Sequence, residues 1–475
     1  MLGVQLAALL DGTGDPAGVT EALDLVDGFD EALVQGFARL GEERTAAVGA
    51  LVAALAPTPL GPAAAEAAAK VAAGSIAEEH LAALAGARAA LFGAVHDALL
   101  THLDGTLGRT RNTTTEPAPD ATGTPDGAAG SAGSAGSGGD NLRASARSWL
   151  HELAITGWRG VGHDLVAAAD QTIEALLAEP AVRPLAVLLD GLAAELRAFA
   201  PIATMPVLPT RRWADLWMRA TLLAQAPPPA ATTTEVDGRL LPLGVDVHEH
   251  ATAVQMQIHG VLEQGDDVRL IRVSVSATKT DTIVGSAVWR LLAAHPVLLA
   301  ALAGRRSLEL TGMPLRGGDL VWHDDRAAAG EPADPFATAR LLLARAAAPA
   351  VPPLERHPVR IAEPVLIEGY GTGDGTFVLD GAELAVDLDR LPPSGPLTPE
   401  LVAASTACIG LMRWDAGRWS VQPLAVQATV KRKPVEAHNG DWAQGPTDPR
   451  IVKAEAKAGD AVAVLRERAG RLLRK

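Results

Sequence analysis

The chain has a single cysteine, Cys408, in 475 residues. That excludes a disulfide framework and every Cys-rich zinc ribbon, finger or iron–sulfur cluster. Tyrosine is as scarce, with Tyr370 alone, and aromatic residues make up only 3% of the chain, nine of them Trp. Much of the apolar fraction is Ala, so helices form readily but their contact faces are thin. Positive charge is short as well. Lys and Arg number 41 against 56 Asp and Glu, a balance of −15, which is the wrong sign for a general nucleic-acid coat. No uninterrupted apolar run reaches the ~20 residues of a membrane span. The nearest, 287–303, is broken by Trp289-Arg290 and His295-Pro296. The opening MLGVQLAALL has no cation ahead of its apolar run, so no secretory signal is expected and the chain reads as cytoplasmic.

What is present is enough apolar residue, 48%, to bury a core. At roughly 150 residues per domain the length suggests two to four folded units. The expected fold class is α+β multidomain. Residues 1–108 read as an acidic all-helical module, with 14 Asp and Glu against 4 Lys and Arg. Leu23, Val26, Phe29, Leu33 and Phe37 recur at helical spacing, and Ser75-Ile76-Ala77-Glu78 reads as a capping box. Residues 109–141 read as a disordered Gly/Ser/Pro linker, because they hold almost nothing to bury. A helical region follows at 142–230, closed by TRRWADLWMRATLLAQ with Trp213 and Trp217 on one face as core anchors.

From 231 to 445 the pattern changes to alternating runs, and a mostly antiparallel sheet with helices is expected. AVQMQIHGVLE and VRLIRVSVS form a hairpin, and Trp414 to Trp419 forms a second tight turn. Helices are expected near 282–303, 334–347 and 398–410, the last placing Cys408 mid-helix as a small buried residue. Residues 446–475 read as a basic amphipathic helix, with 8 Lys and Arg against 4 Asp and Glu, docking on the chain itself.

Chemistry-bearing residues are few. His248 and His250 lie two apart on an expected strand and so face one side, with His259 as a third ligand if the next strand pairs back. A solvent-facing strand edge is the ordinary alternative and outweighs the metal. Trp322-His323-Asp324-Asp325 pairs an imidazole with two carboxylates, but beside a strand end these are ordinary turn residues. Gly369 to Gly375 runs into another strand rather than a helix, so a hairpin is expected there and not a phosphate loop, with Tyr370 near its tip as a contact residue. Trp414, Arg418 and Trp419 at an exposed turn, and Lys431, Arg432 and Lys433, are the expected interaction residues. No GxSxG, HExxH or Walker A motif occurs.

Three segments, LDLVDGFDEALVQGFARL (23–40), LPTRRWADLWMRATLL (208–223) and RWDAGRWSVQPLAVQ (413–427), resemble an uncharacterised family of high-GC bacteria. That family is associated with gene clusters encoding SWIM zinc-finger proteins, MoxR-type AAA+ ATPases and von Willebrand A proteins. The resemblance covers most of the chain outside the linker and carries no catalytic residues. It implies an accessory or adaptor whose partners are such an ATPase, von Willebrand A or SWIM protein. The first expectation is therefore a non-catalytic interaction protein without a cofactor. A metal-dependent enzyme built on His248 and His250 is the alternative, and a single-strand nucleic-acid module the third.

Overall fold

A computed structural model describes residues 1–10, 15–113, 135–225, 232–250, 252–458 and 461–472. The fold is α+β and multidomain, as the sequence implied. The chain divides into two compact units, Ala17–Ala98 with Glu116–Ala230, and Met1–Pro16 with Leu99–Thr115 and Ala231–Lys475. The expected boundary at 108 is not where the division falls. Polar contacts explain why the early segments join the second unit. The Trp414 indole donates to Asp15 Oδ1 at 2.8 Å, and Arg109 donates to Glu363 at 3.0 Å and to the Pro364 carbonyl at 2.7 Å. Most of the expected linker, 114–134, lies outside the described residues. At its edges, Asn112 N–H donates to Ala348 O at 2.9 Å, and the helix Ala135–Thr156 begins inside the stretch assigned to it.

The first unit is helical. Val19–Gln35, Glu42–Ala54, Gly61–Ala72, the first part of Glu78–Leu107, Ala135–Thr156, Arg183–Phe199 and Thr210–Gln225 share one core. Phe29, Leu33, Leu84, Phe92, Leu153, Trp158, Trp213 and Trp217 are all buried in it. The Trp pair on the last helix is thus the core anchor its spacing suggested. Glu78–Leu107 is long and apolar enough to cross a membrane by length and composition, yet Leu81, Leu84, Ala85, Leu91 and Phe92 pack into this chain's own core. The Ser75–Glu78 capping box does not form. His80 reaches back instead, and its Nδ1 takes the Ala77 N–H at 3.3 Å.

The second unit holds two sheets. The first contains β1 (Thr233–Glu249), β2 (Ala253–Gln264), β3 (Asp267–Thr278), β4 (Arg306–Arg316), β5 (Asp319–Leu320) and β6 (Ala327–Pro332). The pairings run β1-β2-β3-β5-β4, and β4 pairs β1 again, so five strands close a circuit with β3 and β5 parallel. The long β1 serves both neighbours because two irregularities bend it, at Val236/Gly238 and Pro242/Gly244. Gly238 sits at φ 154, where a Cβ would lie 2.4 Å from the Glu263 carbonyl oxygen, so only glycine fits the bend. The segment between β3 and β4, a 3₁₀ turn Gly285–Leu292 and the helix Pro296–Gly304, adds Val288, Trp289, Leu298 and Leu302 to the barrel core. A five-stranded Greek-key barrel of this connectivity is an OB-type barrel.

The second sheet contains β7 (Glu363–Glu368), β8 (Gly371–Thr372), β9 (Thr376–Leu379), β10 (Ala382–Val386), β11 (Ser405–Asp415), β12 (Arg418–Val430) and β13 (Lys433–His438). Its order is β7-β11-β12-β10-β9-β8, with β10 and β12 parallel and β13 on β12. Counting β7, β9, β10, β11 and β12 as first to fifth, this repeats the connectivity of the first barrel with the seam between first and second strands open. The short helix Pro399–Ala403 again lies between the third and fourth strands. The sequence shows no repeat, so the two are alike in path and not in residues. Leu241, Leu243, Val261 and Leu270 on the outside of the first barrel pack against Leu366, Ile409 and Ala425 of the second sheet.

Several local expectations are corrected. The helix expected at 398–410 stops at Ala403, and Cys408 lies on β11 between β7 and β12. Two ladders on either side outweigh the helical preference of VAASTA. The helix expected at 282–303 is broken, and 334–347 shortens to Pro335–Leu342. The expected C-terminal helix is helical over Pro449–Ala458 and Ala461–Leu472, with residues 459–460 outside the described ones, and Val462 is buried in the first barrel's core with Leu465 against it.

Candidate functional site

Along β1 to β3, residues that alternate with the barrel core turn outward. They form a polar strip. His248 pairs in register with Gln255 and Gln255 with Ser276; Asp246 pairs with Gln257 and Gln257 with Ser274; His259 faces Arg272. Arg272 in turn holds Asp319 through two bonds of 2.8 and 2.9 Å.

The strip is anchored at Asp246. Arg413 Nη2 donates to its Oδ2 at 2.7 Å, Gln422 Nε2 donates to its Oδ1 at 2.7 Å, and His248 Nε2 lies 3.1 Å from Oδ2. Gln422 also accepts from Arg413 Nε. Burial alone would raise the Asp246 carboxyl, but the bond from His248 and the charge of Arg413 outweigh it and hold the group well below the usual carboxylate range. Burial lowers the Arg413 guanidinium, Arg390 adds to that, and Asp246 opposes it.

Beside this node is a cleft with about 410 Å³ of empty space, part of it open to solvent, lined by Val359, Asp387, Arg390, Arg413, Trp414, Asp415, Arg418 and Ser420. Ser420 Oγ donates to Asp387 Oδ2 at 2.9 Å, and Asp415 Oδ1 accepts the Ala416 N–H at 2.8 Å. Arg390 Nε is 3.8 Å from Asp387 Oδ2, too long for a hydrogen bond.

The expected site residues are placed as follows. Trp414 and Trp419 do flank a two-residue turn, Ala416-Gly417, but both are 3% exposed. The expectation of exposed tryptophans is corrected, since their rings complete the sheet while Arg418 stays outside. Tyr370 is likewise buried, stacked on Phe377 at 3.9 Å, with its hydroxyl 2.6 Å from Ser405 Oγ. It is a packing residue and not a contact at a tip. Burial raises the Cys408 thiol, so it stays protonated. His250 is exposed just past β1, His248 belongs to the Asp246 node, and His259 is sealed under the strip, where burial lowers it to about 3. Among the described residues no three His, Cys, Asp or Glu are grouped to hold a metal. Trp322 and Asp324 are structural: the indole donates to Asp324 Oδ1 at 3.0 Å, and Asp324 Oδ2 caps Val297 N–H at 2.9 Å.

Lys431, Arg432 and Lys433 are all exposed. Lys431 and Arg432 form the β12–β13 turn, at φ 50 and 65, and Lys433 opens β13 in register with Val430. A turn with two left-handed central residues ordinarily takes Asn-Gly or Asp-Gly. The corresponding turn of the β11–β12 hairpin has Gly417 as its second central residue. Val430 and Val435, on one face of the hairpin, are 38% and 36% exposed. The Arg390–Arg413–Arg418 cleft went unread in the sequence. Its only signal there was the Arg-Trp repetition of RWDAGRW, which pointed at the rings instead of the guanidiniums.

Comparison of the chain with protein-family models, with curated proteins and with solved structures finds no match.

Proposed function

We propose that this chain is a cytoplasmic, non-catalytic binding protein that docks an acidic partner protein through the β12–β13 hairpin. The observation that carries the reading is the turn itself. Two non-glycine residues held in the left-handed region cost about 1 to 2 kcal/mol each, and Asn-Gly would remove most of that cost. Here the strained positions are Lys431 and Arg432, followed by Lys433, with Val430 and Val435 exposed behind them. A projecting cationic tip with an apolar shoulder suits an acidic surface that has an apolar rim. The accessory role implied by the resemblance, beside an AAA+ ATPase or a von Willebrand A or SWIM protein, is compatible with such docking. The test is affinity purification of the tagged full chain from its host, with and without ATP, beside the variant Lys431→Glu/Arg432→Glu/Lys433→Glu. A partner retained in stoichiometric amount by the parent and lost by the variant supports the reading. A partner retained equally by both contradicts it.

The OB-type barrel favours a second reading, single-strand nucleic-acid binding. Fluorescence anisotropy with a labelled single-stranded oligonucleotide decides it. Binding that falls steeply with salt and is lost in the same variant would favour nucleic acid over protein.

A further inference from the structure

We propose that the cleft between β11, β12 and the loop after β10 is a binding site for a small phosphate-type oxyanion, held by Arg390, Arg413 and Arg418. Each guanidinium keeps donors for a ligand. Arg413 engages Nε with Gln422 and Nη2 with Asp246, which leaves Nη1 with no bond to a described residue. Arg390 stands 3.8 Å from Asp387, short of a hydrogen bond. Arg418, exposed at the lip, forms no ion pair among the described residues.

Two carboxylates share the walls, Asp387 and Asp415, but each is already bonded, to the Ser420 hydroxyl and the Ala416 N–H. The lining therefore carries three cations against two anions on a chain whose total balance is −15. Arg390 and Arg413 both line this one cleft, so an anion seated there lies beside two guanidiniums. Planar guanidiniums arranged around one space suit the several oxygens of a tetrahedral oxyanion better than the two of a carboxylate. The site is separate from the β12–β13 tip, so it stands whether or not the hairpin docks a partner.

The test is titration of the full chain with inorganic phosphate at constant ionic strength, followed by phosphorus NMR line broadening, with acetate as the comparison anion. Arg390→Gln and Arg418→Gln are the variants, because neither supports the buried Asp246, and circular dichroism confirms that they fold. Saturable phosphate binding that weakens at least tenfold in each variant, and is unchanged in Lys431→Glu/Arg432→Glu/Lys433→Glu, is the expected result. Non-saturable broadening, equal affinity in the parent and both cleft variants, loss in the hairpin variant instead, or acetate binding as tightly as phosphate would each overturn the proposal.

Discussion

Two buried arginine–aspartate pairs, one in each unit, have the same chemistry and different surroundings. In the helical unit Arg88 is fully buried. It holds Asp30 through Nε at 2.6 Å and Nη2 at 2.9 Å, directs Nη1 toward Met218 Sδ at 3.6 Å, and lies 4.7 Å over the Phe92 ring. In the barrel unit Arg413 holds Asp246, but it also lines a cleft, and its Nη1 has no bond to a described residue. The carboxylates respond in opposite directions. Burial raises Asp30 to about 6 against the pull of Arg88, whereas His248, Arg413 and Gln422 together hold Asp246 low. A pair whose guanidinium is committed on every side fixes a core. A pair whose guanidinium has a free donor at a cleft can also present it to a ligand.

The sharpest way to break this contrast is to remove each arginine's role in turn. Arg88→Met leaves Asp30 buried without its partner and should cost about 3 to 5 kcal/mol. Thermal unfolding followed by circular dichroism reads it, and a change under 1 kcal/mol would show that the pair does not hold the helical core. Asp246→Asn keeps the shape but weakens the bonds from Arg413 and Gln422, and about 2 kcal/mol of loss is expected in urea unfolding.

Acid titration separates the pairs by sign. Asp30 has a folded value raised from 3.8 to about 6, so the native state binds the extra proton. Its contribution to stability therefore falls as pH rises from about 4 to 6, by at most about 1.4 kcal/mol per pH unit. Asp246 is lowered, so its contribution is complete above the ordinary carboxylate range and is lost as pH falls below it. Asp30→Asn should flatten the first slope and leave the second, as read by unfolding at a series of pH values. Parallel slopes for the two units would erase the distinction.

The hairpin gives a smaller effect of opposite sign. Lys431→Asn/Arg432→Gly removes most of the left-handed strain and, after the added unfolded-state freedom of glycine is subtracted, should stabilise the chain by about 1 kcal/mol or more while weakening partner retention, measured by denaturation and pull-down on the same preparation. Arg418→Gln should change stability by less than about 0.5 kcal/mol.

Much of the local structure was legible in the sequence, because local patterns carry it. Gly265-Asp266 and Ala416-Gly417 announce their hairpins, and the spacing of Trp213 and Trp217 announces a buried face. The β12–β13 turn was missed as a turn because Lys431-Arg432 has none of the usual turn residues. Cys408 reads as helical because VAASTAC has a helical pattern until β7 and β12 are set beside it. The barrel closure was hidden for another reason. It depends on pairing Thr233 with Arg316, and Arg413 meets Asp246 across 167 positions. No window of sequence holds both partners of such a contact, and so the node at the candidate site could not be read, although every residue in it was in view.

The most direct measurement is amide hydrogen exchange of the full chain with and without the partner recovered by affinity purification. Docking through the β12–β13 hairpin predicts new protection at 428–435 and no change at 84–92 around Arg88. Protection confined to the helical unit, with the β12–β13 hairpin exchanging as before, would contradict it.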